Sequence, residues 1–321
     1  MLKDIFEEKK GFKLVCGAGN EDAEEVEKLV TIYSLAGCPF FDVCAKPDIV
    51  DAAKKGLKNA GITENRYLCV SVGIAGDPHI TKAVINEEKC IKCGNCKNIC
   101  PHSAITDNIE VRRERCLGCT QCAKECPTEA ISMQSQIQDY KEVLPQLIEK
   151  GIDCIEFHAI STDENDVDAK WNQLNEMFNG MLCISLDRSE LGDKKLKERV
   201  ERLVSKRKPY TTIIQADGVA MSGNNDEYGT TLQAVATAQL FQNSKIPAYI
   251  MMSGGTNTKS TQLTKLCGVQ PHCLAVGSFA RKIVKDYLKQ KNILENKEEL
   301  NKAVDIAKSL IDKSLRNMKD D

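Results

Sequence analysis

No stretch of this 321-residue chain approaches the ~18 consecutive apolar residues of a membrane helix. A surplus of one charge is also missing. The 44 Lys and Arg residues against 46 Asp and Glu give a formal net charge of −2, so no field favours nucleic acid or an anionic membrane. The opening residues, MLKDIFEEKKGF, are too charged for the apolar core of a signal peptide. The depletion of apolar residues that marks disorder is absent too, at 42% hydrophobic and 28% charged. The expectation is a cytoplasmic globular protein without nucleic-acid partner or membrane insertion.

Cysteine, by contrast, is abundant at 16 residues. In a reducing compartment, clustered cysteines read as metal ligands and not as a disulfide framework. Eight are clustered. Cys90, Cys93, Cys96 and Cys100 precede Pro101, and Cys116, Cys119, Cys122 and Cys126 precede Pro127. Both runs spell C-x2-C-x2-C-x3-C-P, the bacterial pattern for two 4Fe–4S clusters, in which the fourth cysteine ligates the other cluster. The expected ligand sets are therefore Cys90, Cys93, Cys96 and Cys126 for one cluster, and Cys100, Cys116, Cys119 and Cys122 for the second. Zinc is the alternative, but its sites usually show two separated C-x2-C knuckles. Gly94 and Gly118 are expected to let the backbone turn tightly around the clusters. Residues 77–133 carry eight acidic and eight basic side chains, a neutrality that suits an electron partner within the same chain.

Removing residues 77–133 leaves 264, near the ~250 of a TIM barrel. That remainder alternates apolar strands with amphipathic helices. The strands are expected at Phe12–Cys16, Phe41–Cys44, Tyr67–Val72, Asp153–His158, Met181–Leu186, Thr211–Gln215, Ala248–Met252 and Cys273–Val276. Eight repeats favour an α/β TIM (β/α)8 barrel, with the ferredoxin-like segment inserted after the third strand; an open doubly wound sheet is the other possibility. The expected division is barrel (1–76), two-cluster insertion (77–133), barrel (134–290) and a C-terminal amphipathic helix (291–321). In that helix Leu300, Val304, Ala307, Ile311 and Leu315 share a face expected to pack outside the barrel.

An insertion after a strand lies on the face where barrels place their sites. Loops after the last two strands commonly hold phosphate. Here they supply Ser253, Gly254, Gly255 and Thr256, then Gly277, Ser278 and Arg281, as expected cofactor-binding residues, through exposed N–H groups, a helix start and a cation. Tight turns alone would also explain the glycines. The ligand would be FMN or another phosphorylated small molecule. Polar residues recur near strand ends: Asp42, Glu156, His158, Asp187, Gln215 and Asp217. Glu156 and His158 share a face and suit acid–base chemistry, or form a structural pair. Asp187, Asp217 and Cys16 complete the candidate catalytic set, with Cys16 as a reactive thiol. The segment from Asp217 to Gly229 reads as a lid. Most other scattered cysteines lie in strands, where core packing is expected.

The stretches FKLVCGAGNED, LAGCPFFDVCAKPDIV, MSGGTNTKSTQLTKLCGV and AVGSFARKIV, with the double cysteine motif, resemble the light-dependent period (LdpA-like) iron–sulfur family almost end to end. The resemblance implies two 4Fe–4S clusters and redox sensing, which in cyanobacteria feeds the circadian clock. A more distant likeness is to flavin-dependent barrel reductases such as dihydroorotate and dihydropyrimidine dehydrogenases. Three functions follow: an oxidoreductase passing electrons between clusters and a ligand at the barrel mouth, a non-catalytic redox sensor, or an electron-transfer module for a partner enzyme. The partners would be a small redox ligand or an electron-donor or acceptor protein.

Overall fold

The computed structural model describes every residue except 75, 76, 78, 79, 187, 189, 190, 219–226, 317 and 319–321, and the side chain of Glu227. A short helix, α1 (Leu2–Glu7), precedes β1 (Gly11–Val15), α2 (Ala23–Leu35), β2 (Phe40–Cys44), α3 (Pro47–Asn59) and β3 (Tyr67–Val72). The insertion follows with β4 (Thr81–Ile85), α4 (Asn95–Ile99), α5 (Gln121–Lys124) and β5 (Ile131–Ser135). The chain resumes as α6 (Tyr140–Glu149), β6 (Cys154–His158), α7 (Glu164–Met177), β7 (Met181–Leu186), α8 (Asp193–Val204) and β8 (Thr212–Asp217). It ends with α9 (Glu227–Ser244), β9 (Tyr249–Ser253), α10 (Ser260–Leu266), β10 (Cys273–Val276), α11 (Ser278–Ile283), α12 (Lys285–Leu288) and α13 (Lys297–Arg316).

Eight parallel strands close in the order β1-β10-β9-β8-β7-β6-β3-β2, as the alternation implied, and β4 pairs antiparallel with β5 outside the barrel. Strand alternation sorts side chains into two cores. Phe12, Leu14 and Cys16 face the helices, whereas Phe40, Cys69, Cys154, Cys183, Met251 and Cys273 fill the interior. Space inside is tight: a Cβ on Gly11 would lie 2.6 Å from that of Cys273, so only glycine fits there.

Two arrangements differ from expectation. Helix α1, too short to read from periodicity, closes the bottom of the barrel by burying Leu2 and Phe6 against Phe40, Tyr67 and Tyr249. Where the sequence alternation predicts one helix after the last strand, from Ala280 to about Leu288, the chain forms two, α11 and α12, broken at Val284. Those two pieces are too short to cover the sheet, so α13 packs against β1, α2 and α10 and completes the helical layer.

Candidate functional site

Within the insertion, the fold brings the eight motif cysteines into two groups. One cavity is lined by Cys90, Cys93, Cys96 and Cys126 and the other by Cys100, Cys116, Cys119 and Cys122. Each thus takes three cysteines from one run and the fourth from the other. The surroundings fit a 4Fe–4S cubane. Backbone N–H groups of Ala104, Ala130 and Ala83 donate to the sulfurs of Cys100 (3.3 Å), Cys126 (3.2 Å) and Cys116 (3.4 Å), which stabilises thiolates. The buried Nε2 of His102, which lines the second cavity, has no partner among the described residues; a bound cluster would offer it one.

The wrapping conformation repeats with the motif. Gly94 and Gly118 take left-handed backbone (φ 82° and 68°). Their counterparts in the other run are Thr120 (63°) and Lys92 (53°). Side chains rarely adopt this conformation, so the turn is imposed by the path around the cavity and glycine merely eases it.

The insertion is tied to the top of the barrel. Arg115 pairs with Asp22 (2.9 Å) and Glu25 (3.1 Å) at the start of α2, and Glu21 N–H donates to the Glu114 carbonyl (2.8 Å). Lys82, 2% exposed, donates to the carbonyls of Gly19 (2.7 Å) and Cys116 (2.8 Å) and pairs with Glu21.

The barrel mouth holds a cavity of about 190 Å³. Ser253, Gly254, Gly255, Thr256, Gly277, Ser278, Arg281, Glu156, His158 and Asp217, all candidates from the sequence, line it. Several are occupied structurally. A Cβ on Gly254 would lie 2.5 Å from the Gly218 nitrogen, and one on Gly255 2.6 Å from Thr230, so packing requires both glycines. The Thr256 hydroxyl donates to the Ala275 carbonyl. Helix α11 has six residues, too few to count on for a strong anion-binding terminus. Arg281 donates to the Val15 carbonyl (2.9 Å) and forms no ion pair among the described residues, which leaves its charge available to the cavity.

Below the mouth runs a buried polar chain. Lys13 donates to Glu156 and to Gln215 Oε1 (2.7 Å), His158 Nε2 lies 3.1 Å from Glu156, and His158 Nδ1 lies 2.7 Å from Asp77. Burial opposes charge on Lys13, Glu156 and His158, but the partners win. Glu156 is held down at about 2 by Lys13 and His158, while Asp77 and Glu156 lift His158 well above the usual imidazole range. Lys13 is raised by Glu156 and Asp42 and supplies the positive charge that the buried group Asp42, Cys69 and Glu156 calls for. Glu156 and His158 do come together, but as a locked ion chain and not as a free acid–base pair. The carboxyls suited to proton exchange near neutrality are Asp42 and Asp217, each pushed by burial to about 6. Asp42 Oδ1 accepts from the Ser71 hydroxyl (2.7 Å), while its buried Oδ2, in the cavity wall, has no partner among the described residues.

The expectation for Cys16 is corrected. Its side chain faces the helices at 0% exposure, it does not line the cavity, and burial pushes its thiol well up. A reactive thiol needs exposure and a lowered pKa. Asp187 and most of the expected lid lie outside the described residues. Lys13, Asp77 and Ser185 were missed; of these, Lys13 was visible as an inward-facing charge in the apolar run FKLV. Leu117, beside Cys116, lines both the mouth cavity and the Cys100–Cys116–Cys119–Cys122 cavity.

Comparison with known proteins matches residues 146–313 to the Light dependent period A C-terminal domain and residues 83–133 to a 4Fe-4S dicluster domain. Light dependent period A of Synechococcus elongatus is 30% identical, covering 94% of this chain and 90% of that protein. Among solved structures, tryptophan synthase from M. tuberculosis is 8% identical with a TM-score of 0.47, covering 99% of both chains. The truncated 3-deoxy-D-arabino-heptulosonate 7-phosphate synthase from Thermotoga maritima is 9% identical with a TM-score of 0.47, covering 93% of this chain and 84% of the other. Those two likenesses say nothing about chemistry.

Proposed function

Because the chain belongs to the light-dependent period A family and binds 4Fe–4S iron–sulfur centres, we propose that it is a redox protein passing electrons between two such clusters and a small molecule at the barrel mouth. Leu117 carries the reading: one side chain is shared by the mouth cavity and a four-cysteine cavity. The cysteines of each cavity would hold one cluster, which supplies one-electron chemistry beside the barrel. The mouth then offers two unlike ends. Arg281 suits an anionic group such as a phosphate, and Asp42 Oδ2 suits an N–H or O–H donor. FMN has both features, as do other phosphorylated metabolites. Asp42 and Asp217 would exchange protons as the ligand gains or loses electrons. We place the protein in the cytoplasm, where reduced thiols persist.

Anaerobic purification followed by iron, sulfide and flavin analysis tests this directly. About eight irons per chain with a stoichiometric flavin or phosphorylated compound are expected. Iron without any mouth ligand, and no change in the cluster spectra when Arg281 is replaced by Met, would refute the electron path into the barrel. A second reading, a redox sensor, is favoured by the ties from Arg115 and Lys82 to the loop before α2, through which cluster state would reach the barrel. Partner binding that changes with reduction, without turnover, would select it.

A further inference from the structure

The two cysteine cavities differ in their electrostatic surroundings. The cavity of Cys90, Cys93, Cys96 and Cys126 is the outer one. Cys93 is exposed, and Lys89, Lys92 and Lys97 nearby are exposed as well, so water and salt screen their charges. The cavity of Cys100, Cys116, Cys119 and Cys122 lies against the barrel. Lys82 stands beside it, its ammonium 2.8 Å from the Cys116 carbonyl at 2% exposure, and Arg281 and Lys285 act on His102 in the same wall. Lys285 reaches the Pro101 carbonyl (3.4 Å), directly after Cys100.

Glu21, 18% exposed in its side chain, is the one carboxylate paired with Lys82 among the described residues, at 3.1 Å, and it also pairs with Lys46. Three groups thus share a junction of two cations and one anion, in which Lys82 and Glu21 are withdrawn from solvent while Lys46 is 37% exposed. Reduction adds an electron to a cluster without making or breaking a covalent bond. A buried positive charge beside it favours the reduced form, and net charge and solvent exposure are the levers that set cluster potentials.

We infer that Lys82 is a positioning residue that gives the barrel-side cluster, on Cys100, Cys116, Cys119 and Cys122, a higher reduction potential than the outer cluster. Electrons arriving at the exposed outer cluster then run downhill toward Leu117 and the mouth. The same ammonium clamps the Gly19 carbonyl, and Gly19 lines the mouth cavity, so one side chain sets both the electron's resting place and the wall of the site it serves. This reaches beyond the proposed mouth ligand and holds whatever occupies that site.

The test is an EPR-monitored redox titration of the anaerobically purified, iron-loaded full chain. Wild type is expected to show two resolved midpoints. Lys82→Met lowers only the higher one, by about tenfold in the reduction equilibrium, which is about 59 mV for one electron. Lys82→Arg, which keeps the charge, restores it. Glu21→Gln moves the same midpoint in the opposite direction, since it removes the neighbouring negative charge. A single unresolved midpoint, a shift confined to the lower one, or no shift in either Lys82→Met or Glu21→Gln overturns the inference. Should Lys82→Met fail to take up iron, Glu21→Gln decides alone: a raised higher midpoint supports the assignment and an unmoved one overturns it.

Discussion

Two populations of cysteine divide this molecule. In the insertion, eight thiols face two cavities, and those of Cys100, Cys116 and Cys126 receive backbone N–H groups. In the barrel interior, Cys69, Cys154, Cys183 and Cys273 are 0% exposed and pack with Phe40, Ile213 and Met251. The side chain is the same, and its neighbours decide its chemistry. Burial pushes the thiols of Cys69, Cys183 and Cys273 up, so they stay protonated and act as small apolar side chains. Burial raises the thiols of Cys96, Cys119 and Cys122 as well, so what suits the insertion to iron is four convergent thiols around each cavity.

Exchanging single members of each population sharpens that contrast most. Cys119→Ser is expected to lower iron from about eight to about four per chain, with a matching loss of visible absorbance, while Cys183→Ser leaves iron unchanged. Equal iron loss from both would dissolve the distinction. The next largest effect concerns charge. Lys13→Met strips the cation from buried Glu156 and is expected to cost about 3–5 kcal/mol in urea unfolding followed by the fluorescence of Trp171. Lys97→Met, which breaks an exposed pair with Asp107, should leave the midpoint unchanged. Smaller again is Gly94→Ala. A Cβ there meets no atom within 4 Å, so only the left-handed backbone resists it, at about 1–2 kcal/mol. A larger loss would mean that the turn, and not the cluster contacts, dominates the insertion.

The smallest expected effect is a slope with pH. Asp42 and Asp217 have folded pKa values of about 6 against 3.8 for a free side chain. Between these values the folded protein holds protons that the unfolded chain has released, so their contribution to stability falls as pH rises through that window. Glu156, lowered to about 2 from 4.5, acts oppositely: its contribution is present above 4.5 and is lost as pH falls toward 2. Asp217→Asn should therefore flatten the decline between about pH 4 and pH 6. An unchanged slope would mean that Asp217 is ionised throughout.

How far the sequence reveals this molecule depends on how local each feature is. The cluster motifs sit within residues 90–127 and follow from spacing alone, and the barrel follows from a repeated alternation of periods. Alternation also held the answer for Cys16, since Val15 lines the mouth and its neighbour must point outward. What spacing could not show is partnership across distant segments. His158 owes its charge to Asp77, 81 residues earlier, and Glu156 meets Lys13 across 143 residues. Leu117 looks like any buried leucine until the insertion is folded against the barrel.

An iron anomalous difference map from crystals of the anaerobically purified protein bears most directly on the electron path. Two peaks are expected, one among Cys90, Cys93, Cys96 and Cys126 and one among Cys100, Cys116, Cys119 and Cys122, with Leu117 alone between the second and a small molecule in the mouth. A single peak, a zinc edge in place of iron, or a second cluster walled off from the mouth by further side chains would contradict it.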